Sequence, residues 1–310
     1  MLRDILRNDP QVIAVQQVVL ATRPDVLILQ NFDYDHDLRA LTAFRDGLAS
    51  NGLDYPYLFS AQPNSGVPSG YDLNRNGRLL DPQDRQGFGK FSGQGAMALL
   101  SRYPIGPEVQ DFTDMAWKDV PQTLMTPQEQ ADWPNQRLSS VAHWAVPIVL
   151  PETQISILTF HATPPVFDGP DDLNGRRNHD EIRFWSHYLD GHFGPPPKNP
   201  IIIGVANIDP IAGEGRKAAL DALMRDPRLQ YLQPQNGQHN CPKHATVYWE
   251  QLADPCRHVS YILPSTDLST QTSGVYWPNP ATEGGADVQA ASDHRLIWVD
   301  LKLDGAGPSR

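Results

Sequence analysis

His161, Asn207, Asp293 and His294 are the residues of this chain whose types and placement could do chemistry. Each borders a short apolar run. Ile155 to Phe160 ends on the His161 imidazole, and Ile201-Ile202-Ile203-Gly204 leads through Val205 and Ala206 to Asn207. Asp293-His294 opens the run from Arg295 to Leu301, and Asp25 to Leu29 runs into Gln30 and Asn31. Buried strands delivering imidazoles, amides and a carboxylate to one end of a sheet could bind a phosphoryl group. Phosphoester chemistry depends mostly on positioning and charge stabilisation. Few of these strand ends carry a carboxylate.

The elements that must position these residues follow from local pattern. Asp9-Pro10 caps a helical stretch with Val12, Val15, Val18 and Val19 on one stripe. Arg23-Pro24 ends it, and the Val26 to Leu29 strand follows. Further strands are expected at Met97–Leu100, His143–Leu150, Ile155–Phe160, Ile201–Ile203, Val259–Leu263 and Leu296–Leu301. Pro147 makes the His143–Leu150 strand an edge strand or a broken one. Helices are expected at Glu214–Leu223 and at Asp180–Leu189, the latter capped by Asn178. Pro- and Gly-rich loops separate these elements, chiefly 61–95, 106–136, 162–178 and 231–257. Helices feeding buried strands read as α/β. With no internal repeat and no linker, one domain spanning 1–310 is expected.

Composition bounds the partners. The chain has 310 residues, a net charge of −11 and a pI of about 5.3. Duplex nucleic acid favours a basic surface, so a small anionic substrate is the better expectation. No apolar run is long enough to span a membrane. Cys241 and Cys256 read either as a disulfide closing one loop or as two free thiols. A disulfide would favour a periplasmic or secreted protein. The start, Met1-Leu2-Arg3-Asp4, lacks the apolar core of a signal peptide.

His161, Asn207 and Asp293-His294, in this order at strand ends, resemble the endonuclease/exonuclease/phosphatase superfamily. So does Ala98-Leu99-Leu100-Ser101-Arg102-Tyr103-Pro104-Ile105. Thr163 to Gly169 and Asn174 to Glu181 look like a bacterial subgroup of it. The resemblance covers roughly residues 9 to 301. It implies a four-layer α/β sandwich, with two packed mixed sheets flanked by helices. It also implies phosphoester hydrolysis dependent on Mg²⁺ or Mn²⁺. Under it His161 and His294 would stabilise phosphoryl oxygens, Asn207 would orient the phosphate or attacking water, and Asp293 would hold His294 or touch the metal. The resemblance has gaps. The family's metal-binding glutamate falls at Asn31, an aspartate at Val205 and another at Ser260. The family's first strand would lie before Met1.

Mg²⁺ is usually anchored by one or two carboxylates. Asn31 offers only an amide and Val205 nothing. Two functions stay open: a hydrolase of a small phosphorylated substrate with a remodelled metal site, and an inactive family member that serves as a binding protein. Asp33, Asp35, Asp168 and Asp209 are nearby alternatives as ligands, or else turn residues. Asn31, Arg176 and Arg177 are candidate substrate contacts, the arginines because guanidinium forks match phosphate oxygens; the competing reading for the arginines is a solvated basic patch or structural pairing with Asp171 and Asp172. Asp72, Asn74, Asn76 and Asp84 have the spacing of a Ca²⁺ loop, with Gly77 at the sharp turn. The competing reading there is an ion-free Asn/Gly turn.

Overall fold

The computed structural model describes residues 1–237 and 240–302. Residues 303–310 of the expected domain lie outside the described residues, as do 238–239 of the 231–257 loop. The chain begins with α1 (Leu2–Leu6), α2 (Pro10–Thr22), β1 (Val26–Gln30), α3 (Arg39–Ala49), β2 (Tyr57–Phe59) and β3 (Met97–Ser101). There follow β4 (Gln110–Asp111), α4 (Pro127–Asp132), β5 (His143–Val149), β6 (Gln154–His161), α5 (Leu173–Leu189), β7 (Pro200–Val205) and α6 (Ala218–Met224). The last elements are β8 (Val247–Tyr248), β9 (Cys256–Arg257), β10 (Ser260–Pro264), β11 (Ser269–Tyr276), α7 (Gly285–Ala291) and β12 (Leu296–Lys302).

Two layers of sheet form the centre. One is a five-stranded mixed sheet in the order β10-β7-β6-β5-β4, with β6 and β7 parallel. The other is antiparallel and comes in two pieces, β1-β3-β2 and β11-β12. The expectation of two mixed sheets therefore holds for only one of them.

Side-chain alternation builds the layers. Met97 and Leu99 of β3 face the mixed sheet, where they join Val146, Ile148, Ile157 and Ile201 in the inter-sheet core. Ala98 and Leu100 of the same strand face the other way, into Leu41, Phe44 and Leu48 of α3. The outer face of the mixed sheet packs Leu158, Phe160 and Ile202 against Ile182, Phe184 and Trp185 of α5 and Leu220 of α6. The result is a four-layer sandwich. Truncating a fully buried residue such as Leu99 to alanine would cost roughly 2–5 kcal/mol.

The two pieces of the antiparallel sheet face each other across a gap. Among the described residues, β1 pairs with β3 alone and β12 with β11 alone. Their facing edges line a cavity of about 1000 Å³, with Ile155, Ile157, Ile201 and Ile203 also in its wall. Val15 and Val19 of α2, part of the stripe read from sequence, line it too. Gln30, Asn31, Ser260 and His294 lie along the same cavity.

Three local expectations need correction. Pro147 sits in an unbroken β5, between β6 and the segment leading to β4. Its carbonyl accepts from Gly106 N–H, so its nitrogen faces the irregular 104–109 segment and no regular ladder bond is lost. The helix expected from Asp180 starts at Leu173, after Asp172 as N-cap, and Asn178 is buried inside it. The helix expected at Glu214–Leu223 is the shorter α6. Cys241 and Cys256 are disulfide-bonded, with Cα atoms 5.7 Å apart. No described helix is long and apolar enough to cross a membrane.

Candidate active site

Strand register assembles the site. β6 and β7 end where the antiparallel β10 begins, which places His161, Val205 and Ser260 in one row across three strands. Two further side chains close on the row from the second sheet. The Gln30 amide oxygen lies 3.0 Å from His161 Nδ1, and His294 Nδ1 lies 3.5 Å from Ser260 Oγ, the outer limit of a hydrogen bond. The first contact assigns the His161 proton to Nδ1 and leaves the lone pair on Nε2. Trp249 packs edge-on against His294 at 5.8 Å between ring centres.

Asn31 and Asn207 end their strands in the left-handed region, at φ 58° and 53°. Asparagine tolerates this better than most residues. Asn207 Nδ2 donates to the Ala162 carbonyl at 2.8 Å, which ties its amide to the residue after His161. Gly95 lies so close to Asn31 that a Cβ there would stand 2.7 Å from Asn31 Oδ1. Asp293 is exposed, and its charge reaches His294.

Burial sets the charge state. It pushes His161 down to about 3, helped by the charge of neighbouring His294. It pushes His294 down to about 4, against the pull of Asp293 and with the push of Arg295. Both rings are neutral at pH 7 and act as hydrogen-bonding groups rather than fixed cations.

This donor set does not fit Mg²⁺ or Mn²⁺. The centre of the row is the apolar side chain of Val205, which is 4% exposed. Its neighbours are two imidazoles, a hydroxyl and amides, and a hard dication needs carboxylate oxygens to hold it. The aspartates weighed as replacements serve the backbone. Asp35 accepts from Arg39 and Ala40 N–H at the start of α3, and Asp168 accepts from Asn174 N–H near the start of α5. Asp209 accepts from Ile211, Ala212 and His258 N–H, and Asp33 from Gly95 N–H.

Arg176 and Arg177 do not line this pocket. Arg176 makes a bidentate pair with Glu129, at 2.6 Å for each bond. Arg177 donates to the carbonyls of Leu138, Arg137, Ser139 and Gln86. Both are 8% exposed, and of the two readings the geometry favours the structural role over the phosphate clamp, with Glu129 and backbone carbonyls as partners.

The same polar face of α5 braces the site from behind. Asn178 Nδ2 donates to the carbonyls of Thr163 and Ala206, at 2.7 Å each. Glu181 accepts from Ser140 N–H, Ser140 Oγ–H and Thr163 N–H. Ser140 Oγ also contacts the His161 carbonyl at 3.1 Å. Asn178 and Glu181 thus hold the strand ends that carry His161 and Asn207. The sequence reading missed this brace, and missed Gln30 and Ser260 as partners of the histidines. The signal for Gln30 was its position beside Asn31 at a strand end.

In the 72–84 loop, Asp72 accepts from Asn76 and Gly77 N–H, and Asn76 Nδ2 donates to Asp81 Oδ2 at 2.6 Å. Asp84 points inward, fully buried, and accepts from Leu73 and Asp81 N–H. Asp72, Asn74 and Asn76 therefore share the turn, and Asp84 ties its base.

A four-layer sandwich with histidines and asparagines at converging strand ends is the architecture of a phosphoesterase-like hydrolase superfamily. The chain belongs to the Endonuclease/Exonuclease/phosphatase family, whose model matches residues 2–294. Solved structures share its fold. An endonuclease/exonuclease/phosphatase from Beutenbergia cavernae matches with a TM-score of 0.60 and 15% identity, over 96% of this chain and 67% of that one. The 3′ phosphatase NExo from Neisseria, bound to a product DNA hairpin, matches at 0.53 and 14%, over 95% of each chain. Beta toxin from Staphylococcus aureus with bound magnesium ions matches at 0.52 and 12%, over 94% of this chain and 91% of that one. No curated protein matches the chain.

Proposed function

We propose that this chain recognises a small phosphorylated molecule at the His161–Asn207–His294 pocket and has lost efficient metal-dependent hydrolysis. The observation that carries this reading is the row His161, Val205, Ser260, with an apolar side chain at its centre. Imidazole, amide and hydroxyl groups can donate hydrogen bonds to phosphoryl oxygens. Without carboxylates the pocket lacks both an anchor for Mg²⁺ or Mn²⁺ and a carboxylate base to activate water. The net charge of −11 favours a small ligand over the DNA seen with the Neisseria protein.

The test is phosphate release from small mono- and diesters with Mg²⁺ or Mn²⁺ against chelator, alongside calorimetric titration of a phosphomonoester. His161→Ala is the control in both. The expected result is binding weakened at least ~10-fold in the control, and no metal-dependent release above it. Metal-dependent turnover abolished by His161→Ala would instead mean a working hydrolase with replacement ligands. Asp293, beside His294, is the observation that favours that second reading. Mg²⁺-dependent turnover gained by the triple variant Asn31→Glu, Val205→Asp, Ser260→Asp would identify the present pocket as a hydrolase site that lost its ligands.

For the 72–84 loop the reading is a structural Ca²⁺ site. Support comes from the carboxylate of Asp72 and the amide oxygens of Asn74 and Asn76 around one turn, with the Asp84 carboxylate at its base, the oxygen type that Ca²⁺ takes. An unchanged Tm when Ca²⁺ is added to chelated protein would refute it.

A further inference from the structure

The C-terminal end of α5 carries a second cluster, remote from the pocket. The helix closes on a Schellman motif. Gly191, at φ 83°, donates from its N–H to the Tyr188 carbonyl at 3.0 Å, and His192 N–H donates to the His187 carbonyl at 3.1 Å. This turn folds His192 back over the last helical turn. Its ring meets that of His187 edge to face, with centres 5.2 Å apart. Asp190, the C-cap, lies one turn after His187. One ligand atom from each of His187, Asp190 and His192 falls within 4.8 Å of the others.

His187 carries the argument. It is 5% exposed, and its Nε2 is buried without any hydrogen-bond partner. Its ring lies against that of His192, within reach of the Asp190 carboxylate. Burial, with the charges of Arg183 and His192, holds the ring below the usual imidazole range. A buried ring nitrogen without a partner is otherwise a net cost to the fold.

The cations nearby are Arg183 and Arg228. Arg183 donates to Gln122 Oε1. Arg228 contacts Asp190 Oδ1 at 2.9 Å but also holds Asp226 and the Leu189 carbonyl. It can release Asp190 without losing its other partners.

We propose that His187, Asp190 and His192 bind a divalent transition-metal ion of the Zn²⁺ class on the outer face of the sandwich. Two imidazoles and one carboxylate select such an ion over Mg²⁺ or Ca²⁺ and leave a coordination position for water. The nine-residue step from Asn178 to His187 corresponds to roughly 13 Å of helix, so the ion would not touch the pocket. It would brace the turn that ends α5.

The test is calorimetric titration of Zn²⁺ into chelator-stripped, tag-free protein, with Co²⁺ as the spectroscopic probe. Wild type is expected to bind one equivalent, to gain Tm on binding, and to show the visible bands of four-coordinate Co²⁺. His192→Ala, at an exposed position, and Asp190→Asn should each weaken binding at least ~10-fold and lose those bands. Binding of equal strength in wild type and His192→Ala, or no saturable binding in wild type, would overturn the proposal. His161→Ala should bind Zn²⁺ as wild type does, which separates this site from the pocket.

Discussion

Two regions of this protein gather polar side chains in its interior, and they treat them differently. Along the inward face of α5, Arg176, Arg177, Asn178 and Glu181 meet carboxylate, carbonyl and amide partners at normal hydrogen-bond distances. At the strand ends 161, 207, 260 and 294 the groups are under-partnered. Gln30 Nε2 is buried with no partner, and His294 reaches Ser260 only at 3.5 Å. Asn178 Oδ1 is the one buried group of these four residues left without a partner, and a network whose charged groups are all met by partners is scaffold. An under-satisfied one holds hydrogen-bonding capacity for something that arrives later. Residue type alone could not separate the two regions, since arginines and histidines both suit a phosphate.

That contrast can be broken by mutation. The largest effect is expected for Arg177→Ala, which leaves Glu181 buried without its nearby cation and orphans several carbonyls. A loss of about 3–5 kcal/mol in urea unfolding is expected. A loss under ~1 kcal/mol would show that the α5 network is not the scaffold.

Acid comes next. His143, His161, His258 and His294 are all held down by burial, to between about 3 and about 4. In the unfolded chain they take up protons below about pH 6.5. Their contribution to stability is therefore present above that pH and lost as the pH falls toward 4. Glu181, raised by burial, works in the opposite direction. Tm should fall steadily from pH 7 to pH 4, and the fall should be shallower in His161→Gln. An unchanged slope in that variant would remove His161 from the set of buried neutral rings. Ligand binding sharpens the point, because a bound phosphate favours the protonated ring. Affinity for a phosphomonoester should therefore rise as the pH is lowered through 6, with proton uptake detectable by titration in buffers of different ionisation enthalpy.

The smallest stability effect is expected for His294→Asn. It should change unfolding by under ~1 kcal/mol while weakening phosphomonoester binding about 10-fold. Equal losses in stability and affinity would make the pocket as structural as the brace behind it.

Much of the architecture was legible because local rules govern it. Asp9-Pro10 started a helix as a cap followed by proline should, and Asp9 accepts from Gln11 N–H. The strands at 26–30, 97–101 and 155–161 are β-branched or leucine-rich runs, and they formed where their pattern placed them. Two places resisted. The start of α5 was hidden because its buried face is polar, so hydrophobic periodicity pointed to Asp180 rather than Leu173. Pro147 argued for an edge strand, yet its neighbour on the nitrogen side is an irregular segment, which lets it sit inside the sheet.

The sequence by itself determined the layered fold, the order of the strand ends that carry His161, Asn207 and His294, and the absence of carboxylates at Asn31, Val205 and Ser260. These are properties of residue type and local pattern. The tertiary structure decided what each polar group faces. It turned Arg176 and Arg177 inward, placed Val205 between His161 and Ser260, and folded His192 back onto His187. Such outcomes depend on register and on contacts between residues far apart in sequence, and a one-residue slip would reverse which face each side chain occupies.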